Sequence, residues 1–274
     1  MSASQSQDRA MGRFVRTGLI LISVSQLLFA LAFFFQWPLA TAVWPFPGTT
    51  PLTYMFLASI FAAAAAATLW ATLSEQYAAL AGIGLDYLMI LGPVGIFVWQ
   101  LGVQTNSAGL RGYAIACAFG AAFGAWLLWW SLRFPLDRRI PLPAPIRWSF
   151  IVFITALLIV STQLIFQVPN VLPWSITPEL SVVIGWMFFG ALTYFAYGLL
   201  RPGWANAGGQ LAGFLAYDIV LMLPFLVRLP TVAPEYRLGL WIYTIVVLYS
   251  AALALFYLFV HPPTRLWRQT RLRV

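Results

Sequence analysis

The chain contains no lysine, one cysteine and one histidine in 274 residues, and each shortage removes a class of chemistry. Without a lysine amine there is no Schiff base to retinal or pyridoxal phosphate, and no phosphate-cradling P-loop. A lone Cys117 permits neither an internal disulfide nor a thiolate metal cluster. His261 stands at the end of the last apolar run, so no histidine pair is on hand for haem or zinc. No metal and no cofactor is expected. Charge is scarce as well: Asp, Glu, Lys and Arg together make up 8% of the residues, against roughly 25% in a soluble domain. Apolar residues take their place at 62%, more than a soluble core could bury.

Apolar runs of about 18 residues or more are long enough to cross a bilayer. They predict spans over 14–36, 52–73, 77–101, 112–133, 148–168, 179–200, 207–228 and 238–260. The expected fold class is therefore all-α, a polytopic transmembrane helical bundle of eight spans. The first run is too long for a signal peptide and lacks a small-residue cleavage site, so it reads as a retained helix. With eight spans both termini share a side, and that side collects Arg9, Arg13, Arg16, Arg133, Arg138, Arg139, Arg147, Arg201, Arg265, Arg268, Arg271 and Arg273, twelve of the fifteen arginines. Arg111, Arg228 and Arg237 lie opposite. The positive-inside rule then places both termini in the cytoplasm of a multi-pass protein of the cell membrane.

The net charge of +8 thus follows a membrane pattern and not a nucleic-acid one. The lipid bilayer is the expected partner. Arg9–Arg16 and Arg265–Arg273 are expected to meet anionic headgroups, at about 1 kcal/mol per charge near the surface. A protein partner or a homo-oligomer is also open. On the opposite side Trp37, Trp44 and Trp174 stand near span ends, where an indole can bury its ring and keep its N–H wet, so they are expected to be interface anchors.

The chain repeats itself. Phe35-Gln36-Trp37-Pro38 echoes Phe166-Gln167-Val168-Pro169, and Thr50-Pro51 echoes Thr177-Pro178 at the next span. Gly82 and Asp86 followed by Pro93 have counterparts in Gly213 and Asp218 followed by Pro224. Arg111-Gly112 is matched more loosely by Arg237-Leu238-Gly239. We read a duplicated four-helix unit: a first half over 1–134, a basic, proline-rich linker over 135–147 and a second half over 148–274. Because four is even, both copies point the same way, and the pseudo-two-fold axis runs along the membrane normal.

Pro51 and Pro178 suit a first helical turn, with Thr50 and Thr177 at the N-cap. Trp44-Pro45-Phe46-Pro47 with Thr50-Pro51-Leu52-Thr53 resembles a segment of uncharacterised multi-pass membrane proteins of bacteria. That resemblance covers one loop and a helix start and implies no activity, cofactor or site residue. Gly120 with Gly124, and Gly209 with Gly213, have the spacing that lets helices approach closely in lipid, within the bundle or across a dimer. The alanines from Ala62 to Ala67 form a smooth helix surface.

Only Asp86 and Asp218 are acidic and well inside the predicted hydrocarbon, roughly 13 to 17 Å along their helices and near the middle of a core about 30 Å thick. An ionised carboxylate there costs at least about 2.5 to 3.5 kcal/mol, so each must be protonated, paired or facing water. The prolines that follow, Pro93 and Pro224, free the carbonyls of Met89 and Val220 and can kink their helices. Polar, proline-interrupted segments at matching places in two repeats point to a midplane site in a transporter. Tyr87 and Tyr217 beside the aspartates, with Gln26, Gln163 and Gln210, are the available hydrogen-bonding groups. Two functional readings follow: a small proton- or cation-coupled transporter built on paired aspartates, or a structural, assembly or sensory subunit whose aspartates fix packing. No catalytic set of histidine, lysine or cysteine is present, and an enzyme is not expected.

Overall fold

A computed structural model describes residues 3–266, with the side chains of 3–11 left out. Arg268, Arg271 and Arg273, and the side chain of Arg9, therefore lie outside the described residues. Among the described residues the fold is all-helical, with eight helices long and apolar enough to cross a membrane. In chain order the elements are α1 (Ala3–Phe34), a short α2 (Pro38–Val43), α3 (Pro51–Leu73), α4 (Leu80–Gln104), α5 (Ala108–Ser131), α6 (Ala144–Ile165), α7 (Pro178–Leu200), α8 (Trp204–Arg228) and α9 (Pro234–Leu255). A 3₁₀ turn at Tyr77–Ala79 leads into α4, and a π turn at Phe256–Val260 closes α9.

Local chemistry sets the helix starts. Pro51, Pro178 and Pro234 occupy first turns, where the missing N–H has no partner to lose. Thr177 Oγ1 accepts from Leu180 N at 3.2 Å as a working cap. Thr50 holds the same position without a cap bond, and its hydroxyl is buried and unpartnered. Neither internal proline interrupts its helix: α4 continues through Pro93 and α8 through Pro224.

The helices form two rows. In one, α1 packs on α3, α3 on α8 and α8 on α9; in the other, α5 packs on α4, α4 on α7 and α7 on α6. Each row takes two spans from each half of the chain. The sequential neighbours α3 and α4, and likewise α7 and α8, touch only slightly, so neither half closes on itself. Exchanging the first four spans with the last four turns one row into the other.

Glycine makes the closest contacts within rows. A Cβ on Gly84 would sit 2.6 Å from Gly124 O, and one on Gly124 would sit 2.8 Å from Gly84 O, so α4 and α5 meet backbone to backbone. Gly120 faces Leu91 of α4, while Gly213 rests on Ala63 and Ala67 of the α3 alanine run. These glycines serve packing inside the bundle.

On the side opposite the termini, Trp44 and Trp174 depart from the expected interface role: they are 7% and 2% exposed. The proline-rich loops that carry them fold back over the helix ends and drive each indole into the opposite row. Trp44, just before α3, stacks edge-on with Tyr113 of α5 at 5.9 Å. Trp174, just before α7, meets Phe56 of α3 at 5.8 Å and Phe225 of α8 at 6.3 Å. Between these loops Thr49 Oγ1 donates to Ser175 O at 2.5 Å, with the two hydroxyls 3.0 Å apart. Trp37 does remain exposed, as an anchor would.

On the terminal side Arg16 reaches Glu75 at 3.4 Å. Arg133 lies 3.5 Å over the Trp129 ring. Asp137 accepts from the Arg139 guanidinium at 2.6 Å, which holds its carboxyl down at about 2. The linker is tied to the start of α8 by Trp204 N donating to Ile140 O at 3.0 Å.

Candidate functional site

The seam between the rows holds large side chains, such as Phe56 against Phe188 with ring centres 5.4 Å apart. Towards the arginine-rich side it becomes polar, because α4 and α7 present Asp86, Tyr87 and Tyr194 beside glycines that leave them room. A Cβ at Gly190 of α7 would sit 2.7 Å from Asp86 Oδ1, and one at Gly82 of α4 would sit 2.8 Å from the Tyr194 ring. Tyr194 is within electrostatic reach of both Asp86 and Tyr87. Asp86 is partly exposed; neither of its oxygens has a hydrogen-bond partner among the described residues, and neither is sealed off.

Two glutamines tie the rows together here. Gln26 of α1 donates through Nε2 to Tyr87 Oη at 2.7 Å. Gln210 of α8 donates through Nε2 to Tyr194 O at 2.6 Å, and Gly198 of α7 makes space for its amide. Gln163 is exposed, and its side chain makes no hydrogen bond among the described residues.

Asp218 sits elsewhere. It is 1% exposed and accepts at Oδ1 from Ser250 Oγ of α9 at 2.9 Å, while Oδ2 is buried without a partner. Tyr217 turns inward: its hydroxyl is hydrogen-bonded to that of Tyr243 of α9, and its ring is edge-on to Phe56 of α3 at 6.3 Å. The two aspartates thus occupy different helix contacts and share no hydrogen-bond partner.

Residue numbers explain the difference. Gly82 to Gly213 and Pro93 to Pro224 are each a step of 131, but Asp86 to Asp218 is a step of 132. In register, Asp86 corresponds to Tyr217 and Tyr87 to Asp218: Asp-Tyr in one copy is Tyr-Asp in the other. One residue is a rotation of about 100° on a helix. Asp86 and Tyr217 therefore face the opposing half, while Tyr87 and Asp218 turn towards α5 and α9 on the flanks. Gly82 against Tyr194 and Gly213 against Ala67 are equivalent contacts, because Ala67 to Tyr194 is a step of 127, the offset between Thr50-Pro51 and Thr177-Pro178 at the starts of α3 and α7.

Tyr194 and Ser250 carry no signal in the sequence alone, since a tyrosine or serine in an apolar run is ordinary. The unequal step between the aspartates is the signal that separates their roles. What the arrangement offers chemically, among the described residues, is a carboxyl group within an apolar helix with both oxygens free and the phenols of Tyr87 and Tyr194 beside it. No group of three or more His, Cys, Asp or Glu residues able to hold a metal is present among the described residues. No protein family, curated protein or solved structure matches this chain.

Proposed function

We propose that the protein is a small proton- or cation-coupled transporter of a bacterial cell membrane, with both termini in the cytoplasm and Asp86 as its coupling group. One observation carries this reading: a carboxyl within an apolar helix with no hydrogen-bond partner on either oxygen among the described residues. A carboxyl used for packing bonds to a neighbour, as Asp218 does to Ser250. Among the described residues neither Asp86 oxygen is bonded, while Gln26 holds the Tyr87 hydroxyl and Gln210 the Tyr194 backbone carbonyl. Intramembrane carboxyl groups facing a bundle interior are the usual elements of proton relays and ion paths.

The outer end of the seam is closed by the reciprocal insertion of Trp44 and Trp174, and the polar end faces the arginine-rich side. Transport then requires the two rows to separate at the outer end and approach at the inner one. The moving units in this scheme are rows, each made of spans from both halves.

The test is flux into liposomes containing the purified protein. Asp86→Asn is expected to abolish proton- or cation-driven uptake, and Asp218→Asn to retain most of it. Equal flux in Asp86→Asn and the native chain sinks the proposal. If both variants lose only stability and neither changes flux per folded molecule, a structural or assembly role is favoured instead.

A further inference from the structure

The start of α8 has no equivalent in the first half. Counting back from Gly213 in the repeat register, Trp204–Gln210 corresponds to the segment around Leu73–Ala79, where α3 ends and the 3₁₀ turn begins. Those additional two turns carry Asn206 and Gln210, one helical turn apart and 2% and 1% exposed. Both amides are fixed by a carbonyl: Asn206 Nδ2 donates to Arg201 O at 2.6 Å, and Gln210 Nε2 donates to Tyr194 O at 2.6 Å. A carbonyl can only accept, so the NH₂ ends are settled and the side-chain oxygens are the free ends. Asn206 Oδ1 and Gln210 Oε1 are both buried without a partner.

Two buried donors accompany them. Trp204 Nε1 on the same helix and Trp70 Nε1 of α3 are also unpartnered, and the Trp70 ring lies against Gly208 and Gly209, between the two amides in sequence. Buried polar atoms left open by the protein are commonly satisfied by ordered water, which makes about three hydrogen bonds at such sites. The mixture of donors and acceptors selects water over a bare cation, which would be repelled by indole N–H groups. Tyr194, bonded through its carbonyl to Gln210, extends its hydroxyl across the seam to Gly209 and is an electrostatic neighbour of Asp86. In register, Asp86 is level with Tyr217, seven residues or about 10 Å beyond Gln210.

We infer that the first two turns of α8 hold a file of ordered water leading from the arginine-rich side, past Asn206, Gln210 and the Tyr194 hydroxyl, to Asp86. Only O–H bonds are made and broken along it: a hydronium at the outer water gives up one proton, each water passes one on, and the carboxylate of Asp86 takes the last. The inference rests on the transport reading for its use but not for its existence, since a wet path can be detected without flux.

The experiment is thiol labelling of the full chain in a Cys117→Ser background. Asp86→Cys is exposed to a small cationic methanethiosulfonate reagent from either side of the membrane. Modification from the Arg201 side is expected to be at least tenfold faster than from the side of Trp44 and Trp174, and Tyr194→Cys should show the same order. Adding Gln210→Leu, or the milder Gln210→Met, should slow labelling of Asp86→Cys at least tenfold. Equal rates from the two sides, or no labelling of either cysteine while a loop cysteine at Pro141 is labelled, overturns the path. Labelling unaffected by both Gln210 variants removes Gln210 from it and overturns the assignment as stated. Flux and labelling separate the two ideas: one-sided labelling with normal flux in Asp86→Asn leaves the water file standing without a transporter. Lost flux with labelling from the opposite side does the reverse.

Discussion

Ser250 has one hydroxyl hydrogen and three acceptors within reach of it, Asp218 Oδ1 at 2.9 Å, Val246 O at 2.8 Å and Val247 O at 3.2 Å. Asp218 Oδ2 has none of its own. This carboxyl is held by a single shared contact. Ser250→Ala would leave the whole buried group unpartnered and should lower unfolding stability in detergent by about 1 to 3 kcal/mol. Asp218→Asn keeps the shape and removes any charge, so its effect should stay within about 1 kcal/mol, the scale of single polar contacts in membrane bundles. Denaturant titration of the two variants decides it, and a Ser250→Ala protein as stable as the native chain would contradict the contact's role. The sequence made both aspartates conspicuous because charge is rare in an apolar run. It could not show which of them is satisfied, because that depends on a serine 32 positions away.

At the scale of helices, four ends share one geometry. Gln36, Glu75, Asn106 and Gln167 all have left-handed φ, between 50° and 57°, and among the described residues no glycine does. After each, the chain closes a wide turn: Trp37 N donates to Ala32 O, Gln76 N to Ala71 O, Ser107 N to Gly102 O and Val168 N to Gln163 O, all at 2.8 to 2.9 Å. This is the Schellman arrangement, usually completed by glycine. A side chain there costs about 1 to 2 kcal/mol, partly offset because glycine loses more freedom on folding. Gln167 is exposed, so Gln167→Gly should raise stability by up to about 1 kcal/mol, and Gln167→Val should lower it; thermal unfolding in detergent reads both. The expected span ends at 36 and 168 overran α1 and α6 for this reason: apolar residues continue past caps that no glycine marks. Starts were misplaced in the other direction. Arg147 and Arg237 belong to the first turns of α6 and α9, and hydropathy alone counted them as outside.

At the scale of the whole molecule, the echoes between the two halves stand in the sequence, but the way the halves pack does not. Two parallel four-helix units could stand side by side as separate bundles. Instead α3 lies on α8 and α4 on α7, so each row is shared between the halves. What decides this is glycine matched to bulk across the copies, such as Gly82 under Tyr194, Gly190 against Asp86 and Gly213 on Ala67, and pair complementarity is invisible to a periodicity argument. If transport works by rows parting at the outer end, fastening that end should stop it. Thr49 and Ser175 offer the place, since they lie in loops leading into helices of opposite rows and their hydroxyls are 3.0 Å apart, compatible with the about 3.5 to 4.5 Å between Cβ atoms of a disulfide. In a Cys117→Ser background, Thr49→Cys with Ser175→Cys should cross-link under mild oxidation and lose flux in liposomes, and a reductant should restore it. A pair within one row, Gly84→Ala with Gly124→Ala, would disturb packing without any redox response, which separates locking from destabilisation. A fully oxidised Thr49→Cys, Ser175→Cys protein that still transports at the native rate would show that the outer end does not open along this seam.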